Sequence, residues 1–204
     1  MAEELRSGGA EAAAADYGQL GVAPTYQDGG RQIAALASGP GWTLVVHSGA
    51  GGHAPSILVA MDRPAGVIFA DAILPHPGRS WLETAPPALA RRLRGLAVDG
   101  VLPPWNTWWD DDPLPAMLPD PALRAAVTAE LPRVPLDWLE TPAPVVEGWA
   151  PPLMSYLRLS PAYEPEAAEA AMRHWPVRRL GLTHLAMLTH PDKVAQELVS
   201  LVPG

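Results

Sequence analysis

Residues Leu44 to Gly52 read Leu-Val-Val-His-Ser-Gly-Ala-Gly-Gly, an apolar run that ends at a histidine and a serine and passes at once into small residues. A buried parallel strand that turns sharply into a helix needs such a pattern, because the tight turn leaves no room for large side chains. The pattern predicts a strand over Gly41–Val46, a turn over His47–Ala50 and a helix over Gly51–Met61. Such a turn lifts the Ser48 hydroxyl above the sheet edge and sets the Gly49 N–H where it can stabilise an oxyanion. Ser48 is therefore a candidate nucleophile. The usual form of this turn has glycine two positions before and two positions after the serine, where this chain has Val46 and Ala50. Alanine is small enough, and valine is a departure. On the local residues alone, a serine that caps a helix N-terminus is an equal reading.

The 204 residues suggest one domain, long enough to bury roughly two thirds of the unfolded surface. Its 25 prolines and 18 glycines are too many for a regular helix bundle. The prolines crowd between Pro86 and Pro165, where they imply turns and short connections. A net charge of −8 and the lack of a Lys/Arg stripe argue against nucleic acid or an anionic membrane as partner. The substrate expected is small and neutral or apolar. With no cysteine there is neither a disulfide framework nor a thiolate metal site. No apolar stretch reaches the length of a membrane span, and Met-Ala-Glu-Glu-Leu-Arg lacks the regions of a signal peptide, so the expected location is cytoplasmic. The six histidines, His47, His53, His76, His174, His184 and His190, show none of the usual zinc spacings. No metal or other cofactor is expected.

Along the chain, residues 1–25 read as a flexible lead-in or a short peripheral helix, without the periodicity to pack a core. Tyr26–Ala37 has apolar residues at near-helical spacing and stops at Ser38-Gly39-Pro40. A second apolar run, Val67-Ile68-Phe69-Ala70, ends at Asp71 and matches another buried parallel strand. Met154–Leu159 and Val177–Leu182 are two further strand candidates. Helices are predicted over Pro121–Leu131, Glu164–His174 and Asp192–Leu201, the last with Val194, Leu198 and Leu201 on its apolar face. The fold class is α/β: a short, mostly parallel sheet of about four strands flanked by helices, with a Trp- and Pro-rich cap insertion over residues 80–150 in a domain spanning 26–204.

In sheets of this kind functional groups gather beyond the C-terminal ends of the strands, and Ser48, Asp71 and His184 each stand at such an end. A serine nucleophile needs a general base, and the base needs a carboxylate to fix its tautomer. All three types are present. Taken together, Val46-His47-Ser48-Gly49-Ala50-Gly51, then Ile68-Phe69-Ala70-Asp71-Ala72-Ile73-Leu74-Pro75, then Thr183-His184-Leu185 with Pro191 and a terminal helix, resemble the α/β-hydrolase family from about Pro24 to the C-terminus. The resemblance implies Ser48 as nucleophile, His184 as general base and residues 80–150 as a cap; Gly49 and His47 flank the serine and are substrate-binding candidates, with a packing role for His47 ranked ahead of chemistry. Family members usually carry the acid after the strand that here ends at Leu159, where this chain reads Ser160-Pro161-Ala162-Tyr163-Glu164. Some relatives place it one strand earlier, so Asp71 ranks first and Glu164 second. Asp71 as a mere turn cap is the plain alternative.

Only 40 residues precede Gly41, and they hold no convincing strand, so the N-terminal strands of the usual fold are expected to be lacking. The nucleophile strand then lies at a sheet edge, where an unpaired backbone invites a homodimer or a partner chain. The His-Gly loop that gives the family its second oxyanion donor would be lacking too, with His47, His53 or a neighbouring subunit as substitutes. Of the other histidines, His190 reads as a surface or helix-start residue, and His76 and His174 as exposed. Six of the eight tryptophans, Trp81, Trp105, Trp108, Trp109, Trp138 and Trp149, fall in the cap. They either wall a pocket for a bulky apolar ligand or staple an irregular insertion. The segment Trp105–Asp112, with Trp105, Trp108 and Trp109, is the expected pocket rim.

Three functions fit these residues. The first is a serine hydrolase of small apolar or polycyclic esters, thioesters or lactones. The second is a lyase, cyclase or isomerase of natural-product tailoring on the same fold, and the third a non-catalytic binding protein.

Overall fold

Gly66–Ala72 is the best-buried segment of the chain. Val67 and Phe69 point to one side and Ile68 and Ala70 to the other, and all four are buried, as a strand covered on both faces requires. A computed structural model of the chain describes residues 1–15 and 26–202. The expected lead-in over 1–25 thus falls partly outside the described residues; within them, Ala2–Ser7 is a short helix against the C-terminal helix Pro191–Leu201.

The strands are β1 (Thr43–Ser48), β2 (Gly66–Ala72), β3 (Val101–Leu102), β4 (Val134–Pro135), β5 (Leu153–Arg158) and β6 (Val177–Arg179). Four of them form a parallel sheet in the order β1-β2-β5-β6, and β3 and β4 make a separate antiparallel ribbon. The chain is an α/β protein with a short parallel sheet flanked by helices. Phe69 and Tyr156 belong to a core shared with Ala54, Leu58, Ala167 and Ala170 of the helices Ala54–Leu58 and Glu164–Met172. Ile68, Ala70 and Leu157 belong to a second core with Val194, Leu198 and Leu201 of the terminal helix. The helix Tyr26–Ala34 packs on Ala54–Leu58 through Gly30, where a Cβ would lie 2.4 Å from the Ser56 carbonyl oxygen.

Element ends shift from the sequence expectations for local reasons. β1 starts later and runs on to Ser48, because its pairing with β2 extends from Thr43–Gly66 to Ser48–Ala72. The helix expected over Gly51–Met61 opens instead as a 3₁₀ turn, Gly49–His53, since its glycines hold an α-helix poorly. β6 ends at Arg179, before Gly181.

The chain divides into two compact units, one formed by residues Met1–Pro75 with Pro144–Gly204, the other by His76–Ala143. In the second, Leu82, Ala90, Leu93, Leu102 and Trp108 form the core. Ser80 and Glu83 cap the helix Trp81–Thr84 reciprocally. The ends of this unit are clamped by Gly78 N–H to the Ala143 carbonyl (2.8 Å) and Ala143 N–H to the Arg79 carbonyl (2.9 Å). His76, expected to be exposed, is buried beside that clamp.

Candidate active site

The C-terminal ends of β1, β2 and β5 converge on one carboxylate. Between β1 and β2 the pairing passes from His47–Ala70 to Ser48–Ala72, so Asp71 is the extra residue of a β-bulge. Its φ of 44° lies in the left-handed region. A bulge re-aims the side chain it carries. Here it turns the fully buried Asp71 carboxylate toward the chain leaving β5. Oδ1 accepts hydrogen bonds from Leu159 N–H (2.7 Å) and Ser160 N–H (3.0 Å), and Oδ2 accepts one from Ser160 Oγ (2.6 Å). His184 Nδ1 lies 3.0 Å from the same Oδ2. With the carboxylate as acceptor, the Nδ1 proton faces Asp71 and Nε2 is left to take a proton from elsewhere. His184 is 7% exposed.

Ser48 sits at the top of β1 with φ 55° and ψ −130°, a conformation that an L-residue adopts only at a cost of order 1–3 kcal/mol. Its side chain makes no helix-capping hydrogen bond. The turn is held by Ile73 N–H donating to the Ser48 carbonyl (3.1 Å) and by close approach of Gly51 to the Ile73 carbonyl and the Ala72 methyl group. The strain at Ser48 is thus kept by a specific bond and a close backbone approach, with no helix-capping bond from its side chain.

Two aromatic rings stack on His184: His47 with centroids 4.3 Å apart and Tyr163 at 5.0 Å, within 7° of parallel. The Tyr163 hydroxyl is 3.4 Å from Ser48 Oγ, a long contact that links the serine to the ring stacked on the histidine. Burial pushes the Tyr163 phenol up to about 12, so it stays protonated. His47 Nε2 donates to the His184 backbone carbonyl (3.0 Å). That bond commits the one proton of a neutral His47 ring and removes His47 as a spare oxyanion donor.

Burial first, and the neighbouring His184 second, push His47 down from its ordinary 6.5 to about 4. An unfolded His47 binds its proton below about 6.5, and the folded one only below about 4. Between those values the unfolded state holds more protons, so stability falls as pH falls through this window. The expected outcome is a melting temperature that drops between pH 6.5 and 4. His47→Gln, which keeps a side-chain donor but does not titrate, should flatten that segment of the curve in thermal unfolding. An equal slope in the variant would assign the effect to other groups.

Glu164, the second candidate acid, is turned away: it pairs with Arg158 (3.0 Å) and Arg179 (3.0 Å) at the surface. These pairs hold its carboxyl below the ordinary carboxylate value. His53 stacks on Tyr26 (4.4 Å). His190 is exposed at the start of the terminal helix, and His174 is exposed. In its own unit Trp108 is 6% exposed and donates to the Pro103 carbonyl (2.8 Å), so it serves that unit's interior. Trp105 and Trp109 meet edge to face at 5.2 Å, with Trp109 partly exposed. Among the described residues no cluster of three His, Asp or Glu side chains is placed to hold a metal ion, and no helix is long and apolar enough to cross a membrane.

The reading of the sequence missed Ser160 and Tyr163. Both lie in the stretch Ser160–Glu164, where the family's usual aspartate is missing and Glu164 was the second candidate acid.

No protein-family model matches the sequence, and no curated protein matches it. Among solved structures, the fold is similar to that of an extracellular α/β-hydrolase from a Paenibacillus species, with a TM-score of 0.75 and 17% identity over 100% of this chain and 92% of that one. The chain has the α/β-hydrolase fold. That protein is described as sharing structural and functional homology with tobacco salicylic acid binding protein 2. In an α/β-hydrolase fold the serine turn, a carboxylate at a strand end and a histidine near the C-terminus are the parts that matter chemically. In this chain Ser48 ends β1, Asp71 lies near the end of β2 and His184 follows β6.

Proposed function

We propose that this protein is a serine hydrolase that cleaves small apolar esters, thioesters or lactones through an acyl-Ser48 intermediate. The observation that carries the reading is the buried His184–Asp71 pair, its carboxylate clamped by Leu159 and Ser160, beside a strained Ser48. In this reading His184 Nε2 takes the Ser48 proton as Oγ attacks the carbonyl carbon. It then delivers the proton to the leaving group. Water, activated by the same nitrogen, releases the acid. Asp71 orients the imidazole and stabilises its charged form. The net charge of −8 favours neutral over anionic substrates. Likeness in fold to a protein described as sharing functional homology with a salicylic acid binding protein supports testing small aryl esters first.

The test is turnover of p-nitrophenyl acetate, p-nitrophenyl butyrate and phenyl esters by the wild type and by Ser48→Ala. Wild-type hydrolysis above background, lowered at least about 10⁴-fold in the variant, is expected. Turnover retained by Ser48→Ala would defeat the nucleophile assignment.

A further inference from the structure

The described residues ahead of β1 contain two helices and no strand, and β1 is an edge of the sheet. Among them there is accordingly no neighbouring strand on that side whose following loop would bring a second backbone N–H over Ser48. The Gly49 N–H follows Ser48 directly and, at the first position of a 3₁₀ turn, has no acceptor within the turn. One donor is a weak oxyanion site, since loss of a single donor typically lowers the rate by roughly a hundredfold or more. The Nε2 proton of His47 is committed to the His184 carbonyl.

We propose that the Tyr163 hydroxyl is the second oxyanion donor of this site, acting with the Gly49 N–H. This rests on the serine-hydrolase reading above. As Ser48 Oγ bonds to the carbonyl carbon, the C=O π pair moves onto the carbonyl oxygen and the serine proton passes to His184 Nε2. That oxygen and Oγ are then attached to the same carbon, so a donor in reach of Oγ needs only a small side-chain rotation to reach the oxyanion. Tyr163 donates a hydrogen bond and keeps its proton throughout. Its resting separation of 3.4 Å from Oγ is long, and catalytic contacts of this kind shorten in the transition-state complex.

The fold explains why this tyrosine is in place. Tyr163 ends a 3₁₀ turn, Pro161–Tyr163, that begins at Ser160. Ser160 is fixed by two hydrogen bonds to Asp71. The clamp that aims the carboxylate at His184 therefore also aims the phenol at Ser48. Stacking of the ring on His184 restricts its rotation. The pieces of the site are mechanically one.

Tyr163→Phe separates the hydroxyl from the ring, because it keeps the stack and loses only the donor. Two readouts are needed: kcat and KM for p-nitrophenyl acetate, and inhibition by phenylboronic acid, whose boron forms a tetrahedral adduct on a nucleophilic serine with an oxygen in the oxyanion position. The expected result is a kcat lowered at least about tenfold with KM within about twofold, and boronate affinity weakened by a similar factor. Ser48→Ala is run beside it. If Ser48→Ala is inactive while Tyr163→Phe turns over and binds boronate like the wild type, the tyrosine assignment is overturned and the serine reading stands. If Ser48→Ala is active, the serine reading fails and takes the tyrosine proposal with it.

Discussion

Asp71→Asn is expected to lower kcat for p-nitrophenyl esters by about 10⁴-fold while the protein stays folded. The carboxylate takes four donors: two backbone N–H groups, the Ser160 hydroxyl and His184 Nδ1. An asparagine can keep its oxygen toward Leu159 N–H and Ser160 N–H, so most of the clamp survives. Its amide nitrogen then faces His184, which must present Nδ1 as an acceptor and carry its proton on Nε2. A histidine in that tautomer cannot accept the Ser48 proton. The fold remains and the base is lost. Asp71→Ala is a different experiment, because it leaves several buried donors without an acceptor at roughly 1–3 kcal/mol each. It should unfold much of the domain. Glu164→Gln is the control, since Glu164 faces Arg158 and Arg179 at the surface. Steady-state kinetics with circular dichroism of each variant checks this. A kcat for Asp71→Asn within tenfold of wild type would place the orienting acid elsewhere.

Gly51→Ala is expected to damage both stability and activity. A Cβ on Gly51 would lie 1.9 Å from the Ile73 carbonyl oxygen and 3.3 Å from the Ala72 Cβ. The first of these is backbone, so no side chain can swing aside. The cost of such overpacking is about 3 kcal/mol, the upper end of the usual range. For a chain of this size that corresponds to roughly a 10 °C fall in Tm. Residues 72 and 73 follow Asp71, and Ile73 N–H holds the Ser48 carbonyl. The displacement therefore pulls apart the Ser48 turn and the Asp71 bulge. Gly49→Ala, where nothing lies within 4 Å of the new methyl group, should melt near the wild-type temperature. Differential scanning calorimetry of the two variants decides the point, and equal melting temperatures would remove Gly51 as the contact that joins the two loops.

The sheet was legible because burial on both faces leaves continuous apolar runs. Val67 to Ala70 reads as a strand from its residues alone, and β1, β5 and β6 follow by the same signal. Pairing decides where such runs end, which is why β1 runs on through His47 to Ser48. The candidate site residues Ser48, Asp71 and His184 were chosen by residue type at the ends of β1, β2 and β6. Asp71 ranked ahead of Glu164 in the sequence, but its contact with His184 was not readable, because it depends on a one-residue bulge that only the registration of β1 on β2 creates. Tyr163 and Ser160 escaped for another reason. The stretch Ser160–Glu164 was searched for a carboxylate, whereas a hydroxyl that helps to hold a distant aspartate leaves no periodicity and no motif. Trp108, for which a pocket wall and a staple of the insertion were equal readings, lies in the interior of its own unit.

The proposed function requires Ser48 to be an activated nucleophile. Its most direct measurement is covalent labelling of the intact protein with a fluorophosphonate, followed by peptide mapping by mass spectrometry. One adduct per chain is expected, on Ser48, formed rapidly in the wild type and only slowly in His184→Ala and Asp71→Asn. An unlabelled wild-type protein, or an adduct on another residue, would contradict it.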